Sequence, residues 1–279
     1  MAVTARTSGS FGMFQKLLGS TGVKVPEIGL GTWQYRSGVE PLRRGMALGA
    51  NLIDTAEIYG TEDVVGEAIK GLREQVLLAT KVWSSHLNYE DVLKAADGSL
   101  RKLGTSYIDL YQVHWPNPSV PIKETMRAME RLVDEGKVRY IGVSNFSLED
   151  MKHAKAAMEK HRIVANQLHY SLIHRDIEKG LLQYCQDQRV TVIAYSPLER
   201  GMLSSTPLLR HKKAMGVLRR IAAEIGNTPS QVALNWCISK PGVIAIPKAD
   251  IVEHIEEDCK ASGWYLSQEH MQALDMAFK

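Results

Sequence analysis

The sequence has few cysteines and no long apolar run. Cys185, Cys237 and Cys259 lie far apart, are odd in number and form no CxxC or zinc-ligand spacing, which argues against a disulfide framework and favours a reducing compartment. No apolar run approaches the ~20 residues that a membrane-spanning helix needs. We therefore expect a cytoplasmic protein with no membrane partner.

Neither sign of charge predominates in the sequence. The 34 Lys and Arg residues nearly balance the 31 Asp and Glu residues, which leaves a net charge of +3. A nucleic-acid-binding protein usually carries a much larger basic surplus, so nucleic acid is not expected as a partner. A local basic site for a phosphate group remains compatible with this balance.

The amino-terminal segment differs from the rest of the chain. Its first acidic residue is Glu27, and MAVTARTSGSFGMF is rich in Ser and Thr without the apolar core of a signal peptide. We interpret residues 1–13 as a flexible extension. Since no change in composition marks a later boundary, we interpret residues 14–279 as a single domain, whose length suits one large α/β fold.

From about residue 28, eight short apolar segments alternate with segments of helical periodicity. The apolar segments suit buried parallel strands and comprise residues 28–33, 51–56, 76–83, 107–115, 138–146, 164–170, 190–198 and 243–249. The helical segments lie near residues 40–49, 61–72, 89–103, 121–137, 147–161, 178–188, 212–225, 230–239 and 250–261.

Eight strands that alternate with helices over ~250 residues predict a (β/α)8 TIM barrel, with a doubly wound open sheet as the main alternative. Residues 14–28 predict an N-terminal hairpin that covers the bottom of the barrel. Residues 267–278 predict an extra C-terminal helix after the last strand.

Polar side chains stand at the predicted carboxyl ends of the strands, where barrel enzymes place their chemistry. Asp54, Lys81 and His114 lie near the ends of the second, third and fourth segments, and Tyr59 follows Asp54 by five residues. Asp54 and Lys81 lie on successive strands and are therefore expected to neutralise each other. Taken singly, each residue could cap a loop or reach solvent, but four convergent polar groups indicate a site.

Such a cluster suits proton transfer to a developing alkoxide, or from an alcohol in the reverse reaction. An unperturbed phenol has a pKa near ~10, and we expect the ammonium of Lys81 to lower the pKa of Tyr59. A positioned proton donor of this kind typically contributes ~10²–10⁴ in rate. His114 is placed to orient and polarise the carbonyl oxygen.

These residues and their surroundings resemble the aldo-keto reductases from about residue 14 to the end. The matching segments are GLGTW (29–33), DTAEIYG (54–60), ATKVW (79–83), IDLYQVHWP (108–116), GKVRYIGVSNF (136–146), NQLHY (166–170), AYSPL (194–198) and IPKA (246–249). The resemblance implies a (β/α)8 barrel that binds NADP(H), or in some members NAD(H), without a Rossmann domain. Consistently, GLGTWQ lacks the third glycine of the Rossmann fingerprint.

The resemblance also implies roles for individual residues. Asp54, Tyr59, Lys81 and His114 would form the catalytic tetrad, with Tyr59 as the proton donor. The implied cofactor-binding residues are Thr32, Ser144, Asn145, Gln167, Tyr195, Ser196, Leu198, Ile246, Pro247, Lys248, His254, Glu257 and Asp258. Among them, Ser144, Asn145 and Gln167 would hold the nicotinamide carboxamide, and Tyr195 would stack on the ring. The candidate substrate-binding residues are Trp33, Trp83 and Trp115.

The segment that would bind the adenosine departs from the family pattern. Lys248 is kept and would pair with a 2′-phosphate as a point charge. Ala249 replaces the usual Ser, His254 stands at the position of an Arg, and Asp258 replaces an Asn. Loss of the Arg removes a planar group that could stack on adenine. We therefore expect a moderate preference for NADPH, with NADH as an alternative cofactor.

The sequence is compatible with three functions. The first is a reductase of aldehydes and ketones that acts as a monomer or weak oligomer on a small-molecule carbonyl substrate, with residues 117–121 and 199–211 setting specificity. The second is a cofactor-binding regulatory or structural protein of the same fold with little turnover. The third is a metal-dependent hydrolase that uses Asp54, His114, His169 or His174, although Lys81 would compete with the metal and no metal is expected.

Overall fold

The computed structural model describes residues 12–204 and 211–279. Eight parallel strands form one sheet whose spatial order follows the chain. These strands are β3 Leu30–Gly31, β4 Leu52–Asp54, β5 Leu77–Val82, β6 Ile108–Val113, β7 Val138–Ser144, β8 Ile163–His169, β9 Thr191–Tyr195 and β10 Val243–Ile246. The predicted (β/α)8 fold is therefore confirmed.

Main-chain hydrogen bonds join the first and last strands of the sheet. Gly29 N donates to Ala245 O at 2.8 Å, Ala245 N donates to Glu27 O at 2.9 Å, and Gly31 N donates to Pro247 O at 2.9 Å. An open sheet would leave these groups unpaired at its two edges. The doubly wound alternative is thus wrong.

Helices cover the outside of the barrel and bury its apolar outer face. They are α1 Val39–Ala47, α2 Glu62–Ile69, α3 Tyr89–Leu103, α4 Ile122–Asp134, α5 Leu148–Ala157, α6 Leu181–Asp187, α7 Lys212–Ile225, α8 Pro229–Ile238, α9 Val252–Cys259 and α10 Gln268–Ala277. The first residues of α5 and α8 follow directly from the sequence, since capping boxes precede these helices. Ser147 pairs with Asp150 before α5, and Thr228 pairs with Gln231 before α8. The helix α10 is the predicted C-terminal helix.

A two-stranded antiparallel hairpin, β1 Gln15–Leu17 and β2 Lys24–Pro26, precedes the barrel. Its buried side chains Leu18 and Val25 pack with residues inside the barrel. Gly19 N donates to Thr191 Oγ1 at 2.7 Å, at the first residue of β9. The hairpin therefore closes the amino-terminal end of the barrel, as predicted, and leaves the other end for the site.

Seven of the eight barrel strands are shorter than the apolar segments that predict them, and β8 has the predicted length but begins one residue earlier. The sequence predicts a strand over residues 28–33, whereas β3 spans Leu30–Gly31. Main-chain pairing nevertheless continues beyond the strands: Thr32 N donates to Asp54 O at 3.0 Å and His114 N donates to Val82 O at 3.0 Å. These bonds fix the residues that bear the polar side chains of the site.

Most of the predicted extension, residues 1–11, lies outside the described residues, as do residues 205–210 of the predicted specificity loop. In the described part of the chain, none of the helices combines the length and apolar character that crossing a bilayer requires.

Candidate active site

Four polar side chains meet at the carboxyl end of the barrel. Lys81 Nζ donates to Asp54 Oδ1 at 2.5 Å and lies 3.4 Å from the hydroxyl oxygen of Tyr59. That hydroxyl lies 3.3 Å from His114 Nε2. The chain thus brings together all four residues predicted to form the tetrad.

Local backbone geometry explains how Tyr59 reaches Lys81. After β4, residues Glu57–Tyr59 form one turn of 3-10 helix, which ends at Gly60 with φ 68°. A left-handed residue of this kind is costly for side chains other than Gly. Lys81 Nζ also donates to Thr55 O at 2.9 Å, which ties the ammonium to the start of this loop.

Asp54 accepts two further hydrogen bonds inside the barrel. Gln167 Nε2 donates to Asp54 Oδ2 at 2.8 Å, and Gln112 Nε2 donates to the same oxygen at 3.1 Å. Sequence reasoning missed Gln112. A usable signal existed, because Gln112 interrupts an apolar strand two residues before His114 and therefore faces the same side. Gly142 provides the space, since a Cβ there would lie 2.9 Å from Gln112 Cγ.

Burial decides the protonation states of the cluster. Desolvation raises the pKa of Tyr59 and outweighs the opposing effect of the Lys81 ammonium. The expected lowering of this pKa is therefore wrong in its net direction. Desolvation and the nearby Lys81 charge lower the pKa of His114 to about 3. The phenol is consequently protonated and the imidazole neutral near pH 7.

Lys81 keeps its charge despite complete burial. Desolvation lowers its pKa, but the carboxylate of Asp54 and the hydroxyl of Tyr59 act in the opposite direction, and the net effect is a raised pKa. An isolated buried ammonium would tend to lose its proton. The pairing proposed from successive strands therefore accounts for a permanent cation beside the phenol.

The residues predicted to hold a carboxamide lie next to this cluster. Asn145 Nδ2 donates to His114 O and to Ser144 Oγ, both at 3.0 Å. Tyr195 donates its hydroxyl hydrogen to Asn145 Oδ1 at 2.9 Å. Because Gln167 Nε2 is turned toward Asp54, its amide oxygen is the end left for another donor. The side-chain oxygens of Gln167 and Asn145 keep lone pairs that suit the NH2 of a nicotinamide carboxamide, whereas the donors of Asn145 and Ser144 are engaged within the protein.

Tyr195 belongs to a stack of three rings. The Tyr195 and His169 rings lie 5.3 Å apart with a 14° interplanar angle, and His169 and His174 lie 3.9 Å apart at 12°. Glu199 Oε1 lies 2.8 Å from His169 Nε2. Tyr195 is partly exposed, so part of its surface is accessible to a ligand.

The metal-hydrolase hypothesis finds no support in this geometry. Asp54 is already bonded to the ammonium of Lys81 and to two amide groups. His169 and His174 stack on each other rather than converge with Asp54 and His114. Across residues 12–204 and 211–279, no group of three or more His, Cys, Asp or Glu side chains is arranged to hold a metal ion.

The three candidate tryptophans occupy different places. Trp83 contacts the tetrad, with its ring 5.1 Å from that of His114 in an edge-to-face arrangement. Trp115 is 44% exposed. Trp33 lies elsewhere on the rim, under the guanidinium of Arg200, which sits 4.9 Å from the ring centroid. The structure thus joins Trp83 to the tetrad and joins Trp33 to the loop after β9.

Five predicted cofactor residues lie on the barrel wall or in its loops. Thr32 is buried, and its hydroxyl is bonded to Asp54 O at 2.9 Å and to Thr61 Oγ1 at 3.0 Å. Ile246 ends β10, Pro247 accepts the closing bond from Gly31, and Ser196 and Leu198 follow β9. Ser196 has φ 50°, an uncommon backbone conformation for a residue other than Gly.

The predicted adenosine-binding residues lie before α9 and along its length, with Glu257 and Asp258 in its last turn. Lys248 forms an ion pair with Asp250, and His254 is exposed. Glu257 accepts a hydrogen bond from Thr228 Oγ1 at 2.6 Å. Asp258 is buried, and desolvation together with the charge of Glu257 raises its pKa well above the usual range.

Comparisons with known proteins agree with this geometry. The model of the Aldo/keto reductase family matches residues 27–278. The chain belongs to the aldo-keto reductase family. This aldo-keto reductase is 39% identical over 277 residues to the methylglyoxal reductase YeaE of Escherichia coli strain K12. The alignment covers 95% of this chain and 96% of that relative.

Solved structures of other aldo-keto reductases superpose closely. A thermostable aldo-keto reductase solved with the inhibitor epalrestat gives a TM-score of 0.88 at 42% identity, covering 95% of this chain and 100% of that chain. An aldo-keto reductase from Klebsiella pneumoniae in complex with NADPH gives a TM-score of 0.86 at 38% identity, covering 95% and 96%. The chain is therefore an NAD(P)H-dependent oxidoreductase of this family.

Proposed function

We propose that this aldo-keto reductase uses NADPH to reduce aldehydes and ketones reversibly to alcohols, with Tyr59 as the general acid. One observation carries the proposal: the Tyr59 hydroxyl stands 3.4 Å from Lys81 Nζ and 3.3 Å from His114 Nε2 at the open end of the barrel. A bound reduced nicotinamide supplies the hydride that the carbonyl carbon accepts.

The protein moves one proton in each turnover. As the carbonyl oxygen gains negative charge, the O–H bond of Tyr59 breaks and the O–H bond of the alcohol forms. Because burial raises the pKa of Tyr59, the phenol carries its proton before the reaction. The ammonium of Lys81 then stabilises the phenolate that remains, since opposite charges in a buried site interact strongly.

His114 has a separate task in this proposal. With a pKa of about 3, it is a neutral imidazole throughout the neutral range. A ring N–H is then available to hydrogen-bond the carbonyl oxygen and orient it toward Tyr59. A neutral donor adds no second cation beside Lys81, whose own charge is among the causes of that low pKa.

Side chains on adjoining strands would hold the nicotinamide. The amide oxygen of Gln167, with Ser144 and Asn145, would bond the carboxamide, and Tyr195 would stack on the ring face. Lys248 would contact the 2′-phosphate at the other end of the cofactor. The support is the arrangement of these polar groups next to the tetrad, together with the NADPH complex of the Klebsiella pneumoniae relative.

Small aldehydes are the substrates we propose to test first. One relative is named a methylglyoxal reductase, and another, 35% identical over 260 residues, is the glyoxal reductase of Bacillus subtilis strain 168. Trp83 beside His114 provides an apolar wall, and Trp115 and Ile58 are 44% and 48% exposed. Such a wall suits the carbon skeleton of a small carbonyl compound.

The test is a Tyr59→Phe variant assayed by absorbance with NADPH and NADH against methylglyoxal, glyoxal and larger carbonyls. We expect turnover to fall ~10²–10⁴-fold because the proton donor is lost, while NADPH still binds and quenches protein fluorescence. Full activity in this variant would refute the assigned acid. Tight binding with negligible turnover of the wild-type protein on every compound would favour a cofactor-binding protein instead.

We also propose that the enzyme works in the cytoplasm as a monomer or weak oligomer. Cys185, Cys237 and Cys259 are all buried and unpaired, which fits a reducing compartment. Light scattering coupled to size-exclusion chromatography tests the oligomeric state. A concentration-independent dimer mass would contradict the proposal.

A further inference from the structure

Asp250 lies beside the lysine that would meet the 2′-phosphate of NADPH. Asp250 Oδ2 accepts a hydrogen bond from Lys248 Nζ, and the two side chains are 37% and 30% exposed. The other carboxylate oxygen, Oδ1, accepts from the backbone N–H of Arg36 at 3.0 Å. The carboxylate therefore joins the loop after β10 to the loop after β3, next to the seam where the barrel closes.

This pair changes what Lys248 offers to a ligand. Alone, Lys248 is a single positive charge that would attract a phosphate. With Asp250 bonded to it, the pair has no net charge. Burial opposes ionisation of Asp250, but hydrogen bonds from Lys248 and from the Arg36 backbone lower its pKa overall, so the carboxylate is charged at neutral pH.

We propose that Asp250 is a coenzyme-specificity residue that weakens recognition of the 2′-phosphate and thereby admits NADH alongside NADPH. The inference rests on the proposed function, because it concerns the same cofactor. A phosphate monoester carries about −1.5 to −2 charges near neutral pH and is repelled by a carboxylate. A ribose hydroxyl is neutral and can donate a hydrogen bond to the same carboxylate.

The hydrogen bond from the Arg36 N–H also gives Asp250 a structural role. The test must separate that role from the effect of its charge on the 2′-phosphate. Asp250→Asn keeps an oxygen acceptor for the Arg36 N–H but removes the charge. Asp134→Asn is the matched control, since Asp134 pairs with Lys160 at 2.8 Å at the end of α4 and plays no part in the proposed site. Lys248→Met makes the opposite change, because it removes the positive charge of the pair instead of the negative one.

The ligands are 2′,5′-ADP and 5′-AMP, titrated by calorimetry at low salt. Neither carries a nicotinamide, so binding is measured independently of turnover. For Asp250→Asn we expect 2′,5′-ADP to bind about fivefold more tightly, the range of a partly exposed charge interaction, and 5′-AMP to bind no more tightly. Lys248→Met should weaken only 2′,5′-ADP, and Asp134→Asn should change neither.

Salt and kinetics complete the experiment. The fivefold gain should shrink near ~1 M salt, where the Debye length falls to ~3 Å. The ratio of kcat/KM for NADPH to kcat/KM for NADH should rise in parallel in Asp250→Asn. Equal changes for both nucleotides, or no change for either, would overturn the specificity assignment while carbonyl reduction by the wild-type enzyme stood. Absence of both nucleotide binding and turnover in the wild type would remove the proposed function itself and this inference with it.

Discussion

Lys81 and Asp54 form an ion pair that is closed to solvent, with a 2.5 Å separation between Nζ and Oδ1 and side-chain exposures of 0% and 3%. Each charge depends on the other, because an uncompensated buried charge is strongly destabilising. The same pair places the cation 3.4 Å from the Tyr59 hydroxyl. This ion pair should therefore affect both the free energy of unfolding and the catalytic rate, and variants can separate the two effects.

Lys81→Met should destabilise the enzyme by about 3–5 kcal/mol, because it leaves the Asp54 carboxylate without its cation. Adding Asp54→Asn removes that charge and should recover most of the loss. Urea unfolding measures both effects. Turnover should remain low in the single and the double variant, because neither restores the cation beside Tyr59. Additive destabilisation in the double variant would show that the two charges are not coupled.

Gln112→Leu removes a buried donor from Asp54 and should cost about 1.5–3 kcal/mol, the usual range for a hydrogen bond to a charged group. We also expect a lower kcat, because the carboxylate that positions Lys81 is less constrained. Gly142→Ala should have a similar effect, since its Cβ would displace Gln112. Gln183→Leu, at an exposed position on α6, is the control and should change stability by less than about 0.5 kcal/mol. Wild-type values in Gln112→Leu would contradict the positioning role.

The sequence predicted the barrel and the convergence of the tetrad because both depend on local periodicity. Apolar segments indicate strands, and in a parallel barrel all strand ends of one kind face the same side. Polar residues at those ends must therefore meet. Asp54, Lys81 and His114 could be assigned to one site on this basis without any knowledge of side-chain conformations.

Features that depend on packing could not be predicted in this way. The net pKa shift of Tyr59 has the opposite sign from the one expected, because the extent of burial follows from the whole fold. The stacking of Arg200 on Trp33 joins loops that are distant in sequence. The ion pair of Lys248 with Asp250 involves neighbours in a loop, whose conformation no periodicity encodes.

The pH dependence of stability should report the burial of His114. The pKa is about 3 in the folded protein and near ~6.5 in an unfolded chain, so only the unfolded state binds the proton between these values. The stability from a neutral His114 is thus complete above ~6.5 and is lost progressively as the pH falls toward 3, by up to ~1.4 kcal/mol per pH unit. Urea unfolding of wild type and His114→Gln between pH 7 and 5 measures the difference. Identical slopes would contradict the lowered pKa.

The ring stack behind Tyr195 should contribute to cofactor affinity. His169 supports the Tyr195 ring from one side, and an aromatic contact of this kind is worth about 0.5–1.5 kcal/mol. His169→Ala should therefore weaken NADPH binding about two- to tenfold, as measured by fluorescence quenching, whereas His169→Phe should restore it. His153→Ala, at an exposed position on α5, controls for loss of an imidazole. Because 5′-AMP lacks the nicotinamide, its affinity should not change; an equal loss for 5′-AMP would mean that His169 supports the fold of the whole cofactor site rather than the plane of Tyr195.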